Sequence, residues 1–372
     1  MQRGNKLQFI IGSGKILRYS LGLTKFLWEI LMDNIDSIDE EKLEKLAKLA
    51  ISSGVALKSN QNLLLTAPIE ALPLVRKVVK EAYESGAGLV TPLFSDPSLT
   101  LARYKYAKDH SFDKSATWLY KGMAEAFDEN TARLAIVGDD PMLLSAEDPQ
   151  KVSRANKSNS IAYSPARERI TQFKINWSII PWPSKSWAKR VFPKVNSVEA
   201  QKKLANAIFK ASRIDVADPI KEWKLHNFEL HKKSSWLTKQ NFLALQFLGP
   251  ETELTVGLAE GHEWVGGATT AENGITCNPN IPSEEVFTTP HAFKVDGHVV
   301  STKPLSHQGT LIDKIKVKFE KGKIVEASAT KGEEVLLKLL SSDEGARRLG
   351  EVALVPDSSP ISQSGLLFYN TL

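Results

Sequence analysis

Cysteine is nearly absent: Cys277 is the only one in 372 residues. That excludes a disulfide framework and a thiolate-built zinc site, and it fits a reducing compartment such as the cytoplasm. The residue itself reads as small packing. Long apolar runs are missing too. No stretch approaches the roughly 20 residues of a spanning helix, so no membrane partner is expected. None of the seven histidines stands in HExxH spacing, and neither a G-x-S-x-G elbow nor a Walker-type phosphate loop is present. Several common enzyme classes are thereby set aside.

A sustained excess of one charge is also lacking. The chain carries 48 basic and 43 acidic residues, but Arg3, Lys6, Lys15, Arg18 and Lys25 stand against the single acid Glu29 in the first 31 positions. The remainder is almost neutral and offers no footprint for a polyanion, so no nucleic-acid partner is expected. The basic leader has some likeness to a transit peptide. A frame opened upstream of a working start at Met32 explains it better, because a helix start follows directly. Residues 1–36 are set apart as an extension on that ground.

What is present is a regular alternation. "SIDEEKLEKLAKLAISSG" pairs Ser37 with Glu40 as a capping box, places Leu43, Leu46 and Ala50 on one face, and stops at Gly54. Short apolar runs at "NLLLTAP", "GLVTPLF", "RLAIVGDDP" and "INWSIIPWPS" are separated by helical spacing. This predicts an α/β domain over 37–245 with a mainly parallel sheet covered by helices. From about 246 to 372 short β-rich runs take over, including "KIKVKFEKGKIVEASA", a hairpin turning at Lys321 and Gly322. A mixed, largely antiparallel α+β domain is expected there. "GDD" at 138–140 follows a strand, where α/β sheets often bind ligands, but it is more often a solvated turn.

Two places carry chemistry. "NPNIPSEEVFTTPH" sets Glu284 and Glu285 side by side before an apolar strand, and alternation lets only one of them share a face with Phe287. One acid is expected in solvent and the other inward, where it must be protonated, paired or metal-bound. Glu351, in "ARRLGEVALVP", stands at the mouth of a second strand, either as a lone solvated edge residue or as a partner for another group. Two carboxylates buried together would repel, and a divalent cation resolves the conflict. "LAEGHEWVGG" adds Glu260, His262 and Trp264 beside a glycine pair that permits close backbone approach. These could line a peptide pocket with an indole wall, or form a surface loop whose tryptophan tucks under the sheet.

The segments "PIEALPLVRKV", "LTVGLAEGHEWVGG", "NPNIPSEEVFTTPH", "STKPLSHQGTLID", "KGEEVL", "DEGARRLGEVALVP" and "SPISQSGLLFYNTL" closely resemble, in unbroken order over about 37–372, the thermophilic-type leucyl aminopeptidase family of aminopeptidases T, S and II. The resemblance implies a dinuclear metallo-aminopeptidase, a homodimer and a cytoplasmic enzyme acting on peptides, with a metal-bearing C-terminal domain. By position Glu285 matches a metal ligand, Glu351 matches the bridging ligand, and Glu284 is left as the solvated or supporting acid. The implied cofactor is two divalent ions drawn from Zn, Co, Mn or Mg. The family pattern continues past the equivalent of Leu372 through a His ligand, a Tyr and a His-x-Asp pair, so the resemblance also implies a C-terminally truncated site of reduced activity. It assigns no ligand role to His262, His291 or His307. Two oxygen ligands alone favour Mg²⁺ or Mn²⁺ over Zn²⁺ or Co²⁺. The alternative is a non-catalytic peptide-binding or dimerising relative.

Overall fold

The computed structural model describes residues 38–368 apart from 141, 308 and 309, together with a short backbone pairing of Ile10–Ile11 with Lys15–Ile16. The remainder of the 1–36 extension, the Met32 start and the Ser37 cap lie outside the described residues. Helix α1 (Glu40–Leu49) is capped by Asp39, whose carboxylate accepts the Lys42 backbone N–H at 3.1 Å. The cap therefore falls two residues beyond Ser37: an extended Asp directly ahead of Glu40 and Glu41 both satisfies a first-turn donor and suits the helix dipole. Leu43, Leu46 and Ala50 are buried as their spacing predicts, and a single π-turn carries the helix to Gly54.

Four strands and the helices between them follow: β1 (Leu63–Pro68), α2 (Leu72–Glu84), β2 (Val90–Ser95), α3 (Pro97–Tyr106), α4 (Thr117–Asp128), β3 (Ala132–Val137), α5 (Pro149–Thr171) and β4 (Trp177–Pro181). All pair in parallel, in the order β2-β1-β3-β4. Both faces are covered, which is why the strands read as nearly continuous apolar runs. One face, with Leu63, Leu65, Leu134 and Ile136, joins α1 and α2 in the larger core. The other, with Leu64, packs Phe127 of α4 and Ala166 and Ile170 of α5.

After α6 (Lys185–Val191) and α7 (Ser197–Ala211) comes α8 (Pro219–Gln240), a helix shared by two cores. Its Trp223 sits in the core of the parallel sheet, whereas Leu230 and Leu237 belong to the core of a second sheet. That sheet is antiparallel and is built from β5 (Ala244–Gly249), β6 (Thr252–Leu258), β8 (Pro290–Val300), β9 (Lys316–Glu320) and β10 (Lys323–Ser328), in the order β10-β9-β8-β6-β5. The β9–β10 hairpin turns on Lys321 and Gly322, with φ of 48° and 79°, the doubly left-handed geometry of a tight hairpin. A side chain at Gly322 would meet the Ala292 carbonyl oxygen at 1.9 Å, so only glycine fits. A separate antiparallel pair joins β7 (Val286–Thr288) to β11 (Val352–Leu354). The α/β class and the change from parallel to antiparallel pairing are those the patterning predicts. Among the described residues no helix is long and apolar enough to cross a membrane.

Candidate metal and peptide site

The stretch ahead of β7 is fastened to the parallel sheet. Asn278 donates from its side-chain amide to the Ser53 carbonyl at 2.8 Å, Ile179 of β4 donates to the Pro279 carbonyl at 2.7 Å, and Ile281 donates back to the Ile179 carbonyl at 3.0 Å. Residues 278–281 thus extend the outer edge of β4. Ile281 then packs into the core of the parallel sheet and Val286 into that of the antiparallel sheet. Glu284 and Glu285 are carried by this crossing into the junction between the two cores.

Both acids are buried, at 4% and 6% exposure, so of the two roles left open for Glu284 the solvated one is ruled out and the supporting one stands. Glu284 has its own cation. Arg213, in the turn after α7, grips it with both arms of the guanidinium, at 2.6 and 3.1 Å. The Arg213 guanidinium also lies over the Trp223 ring, 5.6 Å from its centroid, and contacts His226 Nδ1 at 3.1 Å. Burial, with the Arg213 charge second, holds His226 below its ordinary value. The neutral ring therefore donates from Nε2 to the Ser283 carbonyl at 2.8 Å and accepts at Nδ1 from Arg213. Neither Arg213 nor His226 is signalled by sequence, because each lies some 60 or 70 positions from Ser283 and Glu284 in an unremarkable helical context.

Glu285 has no such partner: no hydrogen bond or ion pair joins its carboxylate to a described residue. Burial, joined by the charge of Glu351, pushes its carboxyl up to about 7. The register sets Val286 against Leu354 and Thr288 against Val352, so Glu285 and Glu351 each stand just ahead of a paired strand, at opposite ends of the β7–β11 ribbon. Glu351 is not buried with Glu285. It is exposed, one residue ahead of the three-residue strand β11, at the mouth of a cleft.

That cleft, of about 500 Å³, is lined by Glu260, His262, Glu263, Phe287, Thr288 and Glu351 among others. The Thr288 hydroxyl donates to the Glu263 carbonyl at 2.6 Å, and His262 Nδ1 donates to the Ala259 carbonyl at 2.8 Å. The latter bond leaves His262 Nε2 a buried atom with no partner among the described residues. Trp264 does not form a wall of the cleft. At 3% exposure it belongs to the core of the antiparallel sheet, so its indole supports the loop from below. "GDD" leaves β3 as irregular chain, with Asp140 held by Arg190 at 3.0 Å.

Close approach does occur at Gly266, where a side chain would stand 2.6 Å from the Glu285 carbonyl oxygen. Gly266→Ala is expected to displace the Glu285 backbone and cost about 1–3 kcal/mol of stability in denaturant titration. A loss below a few tenths would show that the loop yields freely.

The family described as thermophilic metalloprotease (M29) matches residues 39–372. The chain belongs to that family. Among relatives of this metalloprotease, aminopeptidase T of Thermus thermophilus is 50% identical over 333 residues, spanning 90% of this chain and 82% of the relative. Aminopeptidase 2 of Geobacillus stearothermophilus is 42% identical, over 90% of this chain and 81% of the relative. The solved structure of wild-type AmpT from Thermus thermophilus superposes with a TM-score of 0.84 at 50% identity, covering 88% of this chain and 81% of that one.

A metalloprotease implies divalent metal ions, and the residues of this one fit them in kind. Glu285 and Glu351 are oxygen donors, and the first is buried without a described counter-charge. In number they fall short: among the described residues no group of three or more His, Cys, Asp or Glu is arranged to hold an ion. Two carboxylates are fewer donors than any divalent ion takes.

Proposed function

We propose that this metalloprotease is an aminopeptidase, releasing the N-terminal residue of peptides, with Glu285 and Glu351 as ligands of two divalent ions. The observation that carries this reading is the contrast between neighbours. Glu284 is buried and neutralised by Arg213, while Glu285 is buried with no described cation and with its carboxyl pushed up to about 7. A divalent cation supplies the missing charge. When bound, such ions act as Lewis acids toward the scissile carbonyl and the attacking water.

The chain's own groups account for the rest. Glu260 and Glu263 are exposed acids facing the cleft, suited to a free α-amino group. Val265 and Phe287 offer it an apolar wall, which supports a preference for apolar first residues. Glu351, at the mouth, is open to substrate, whereas Glu285 lies where water is scarce. The ions are drawn from Zn, Co, Mn or Mg, and the two carboxylates alone favour Mg²⁺ or Mn²⁺. We assign residues 37–245 to an α/β domain and 246–372 to a metal-bearing domain, a division that falls within two residues of the start of the antiparallel sheet at Ala244. Cytoplasmic residence is supported by the single, buried cysteine. A homodimer is supported by exposed Leu225, Phe228 and Trp236 on α8 and Leu243 and Leu248 at edge strand β5.

Hydrolysis of a leucine chromogenic amide tests the reading. Turnover is expected with added Co²⁺, Zn²⁺, Mn²⁺ or Mg²⁺, abolished by chelator and reduced at least about a hundredfold in Glu285→Gln. Saturable peptide binding without turnover under all four metals would instead establish a non-catalytic relative.

A further inference from the structure

Under helices α4 and α5 the parallel sheet leaves a cavity of about 360 Å³, lined by none of the residues of the acidic cleft. Thr66 of β1, Ser95 of β2 and Arg133 of β3 line one side of it. The register aligns Leu64 with Arg133 and Thr66 with Leu93, so these side chains share the sheet face that the two helices cover. Tyr120, Asn159 and Tyr163 approach from the helices. Leu93, Leu119 and Met123 supply an apolar wall.

The lining contains one cation and no Asp or Glu. On neighbouring α5, Arg154 is neutralised by Asp109 and Asp113, and Arg169 by Asp128. Arg133 meets only the Tyr163 hydroxyl and forms no ion pair with a described acid, although burial pulls it below its ordinary value. The Arg133 side chain is half-buried, so its guanidinium is partly desolvated without a described counter-charge, and an anion bound beside it would supply one. The polar groups beside it have hydrogens left to donate. The Asn159 carbonyl oxygen accepts from the hydroxyls of Tyr120, at 2.6 Å, and Ser115, at 3.0 Å, which leaves the amide N–H₂ to give. The Thr66 and Ser95 hydroxyls have no hydrogen bond to a described residue.

We propose that this cavity is a binding site for a small carboxylate with an aromatic or apolar body, the carboxylate gripped by Arg133 and the body held against Leu93, Leu119 and Met123. No acid lines it to receive an ammonium, so a zwitterionic amino acid is a poor occupant. The site stands independently of the proposed peptidase chemistry.

Titration calorimetry of the full chain with 3-phenylpropionate tests this. Saturable binding is expected in the wild type, weakened about tenfold or more in Arg133→Met and in Ser95→Phe, which fills the cavity from an exposed edge-strand position. Phenylalanine and inorganic phosphate are expected to bind about tenfold more weakly than the probe, and hydrolysis of the leucine amide should be unchanged in both variants. If Arg133→Met fails to fold by circular dichroism, Ser95→Phe decides. Absence of saturation in the wild type, or undiminished affinity in a folded variant, overturns the site. Equal affinity for phosphate or phenylalanine overturns the ligand class.

Discussion

Arg213→Leu is expected to destabilise the protein by about 3–5 kcal/mol, read as a fall in denaturant midpoint at unchanged slope. The pair it breaks is sheltered: the Arg213 side chain is 14% exposed and that of Glu284 is 5%. Removing the guanidinium strands a carboxylate in the junction between two cores, with only His226 nearby and that ring held neutral by burial. The cost arises from the uncompensated charge and not from the net worth of the pair, which desolvation largely offsets. Adding Glu284→Gln to Arg213→Leu should therefore recover a substantial part of the loss. A single-variant effect under about 1 kcal/mol would mean that water reaches Glu284 and that the fork is a surface ion pair.

The same residues show where sequence reasoning reaches. Strands and helices are legible because their signals are local: helical spacing at Leu43, Leu46 and Ala50, apolar runs ended by Pro or Gly, and a Lys321–Gly322 turn whose left-handed backbone glycine favours. The first cap falls two residues from its expected place because two polar residues, Ser37 and Asp39, compete ahead of the helix, and Asp39 satisfies the first-turn donor. Glu285 and Glu351, 66 positions apart, are matched by family resemblance and not by spacing. The fate of Glu284 is out of reach. Alternation assumes a regular strand, yet β7 begins only at Val286, so both acids precede it and both can turn inward. Arg213, the partner that makes this tolerable, lies 71 positions upstream. The burial of Trp264 and the exposure of Glu351 also depend on how the cleft opens between elements remote in sequence.

Glu285 carries the pH dependence. Its folded-state carboxyl titrates near 7, against an ordinary value of 4.5, so the folded state is the one that holds the proton. Between these two pH values the unfolded chain has released a proton that the folded chain retains. Stability from this group is therefore fully present below 4.5, declines as pH rises, and is exhausted above about 7. The metal-free protein should lose roughly 3 kcal/mol across that window on this account. Glu285→Gln should remove the slope, so that the variant gains on the wild type as pH rises and exceeds it by a similar amount at pH 8. Because a cation can replace the proton, saturating divalent metal should restore the wild type above pH 7 and leave the variant nearly unmoved. Denaturant titrations of both proteins at pH 4.5, 6 and 8, with chelator and with metal, give the differences directly. Parallel curves for the two proteins would mean that Glu285 ionises freely in the folded state, and the case for a missing cation beside it would be lost.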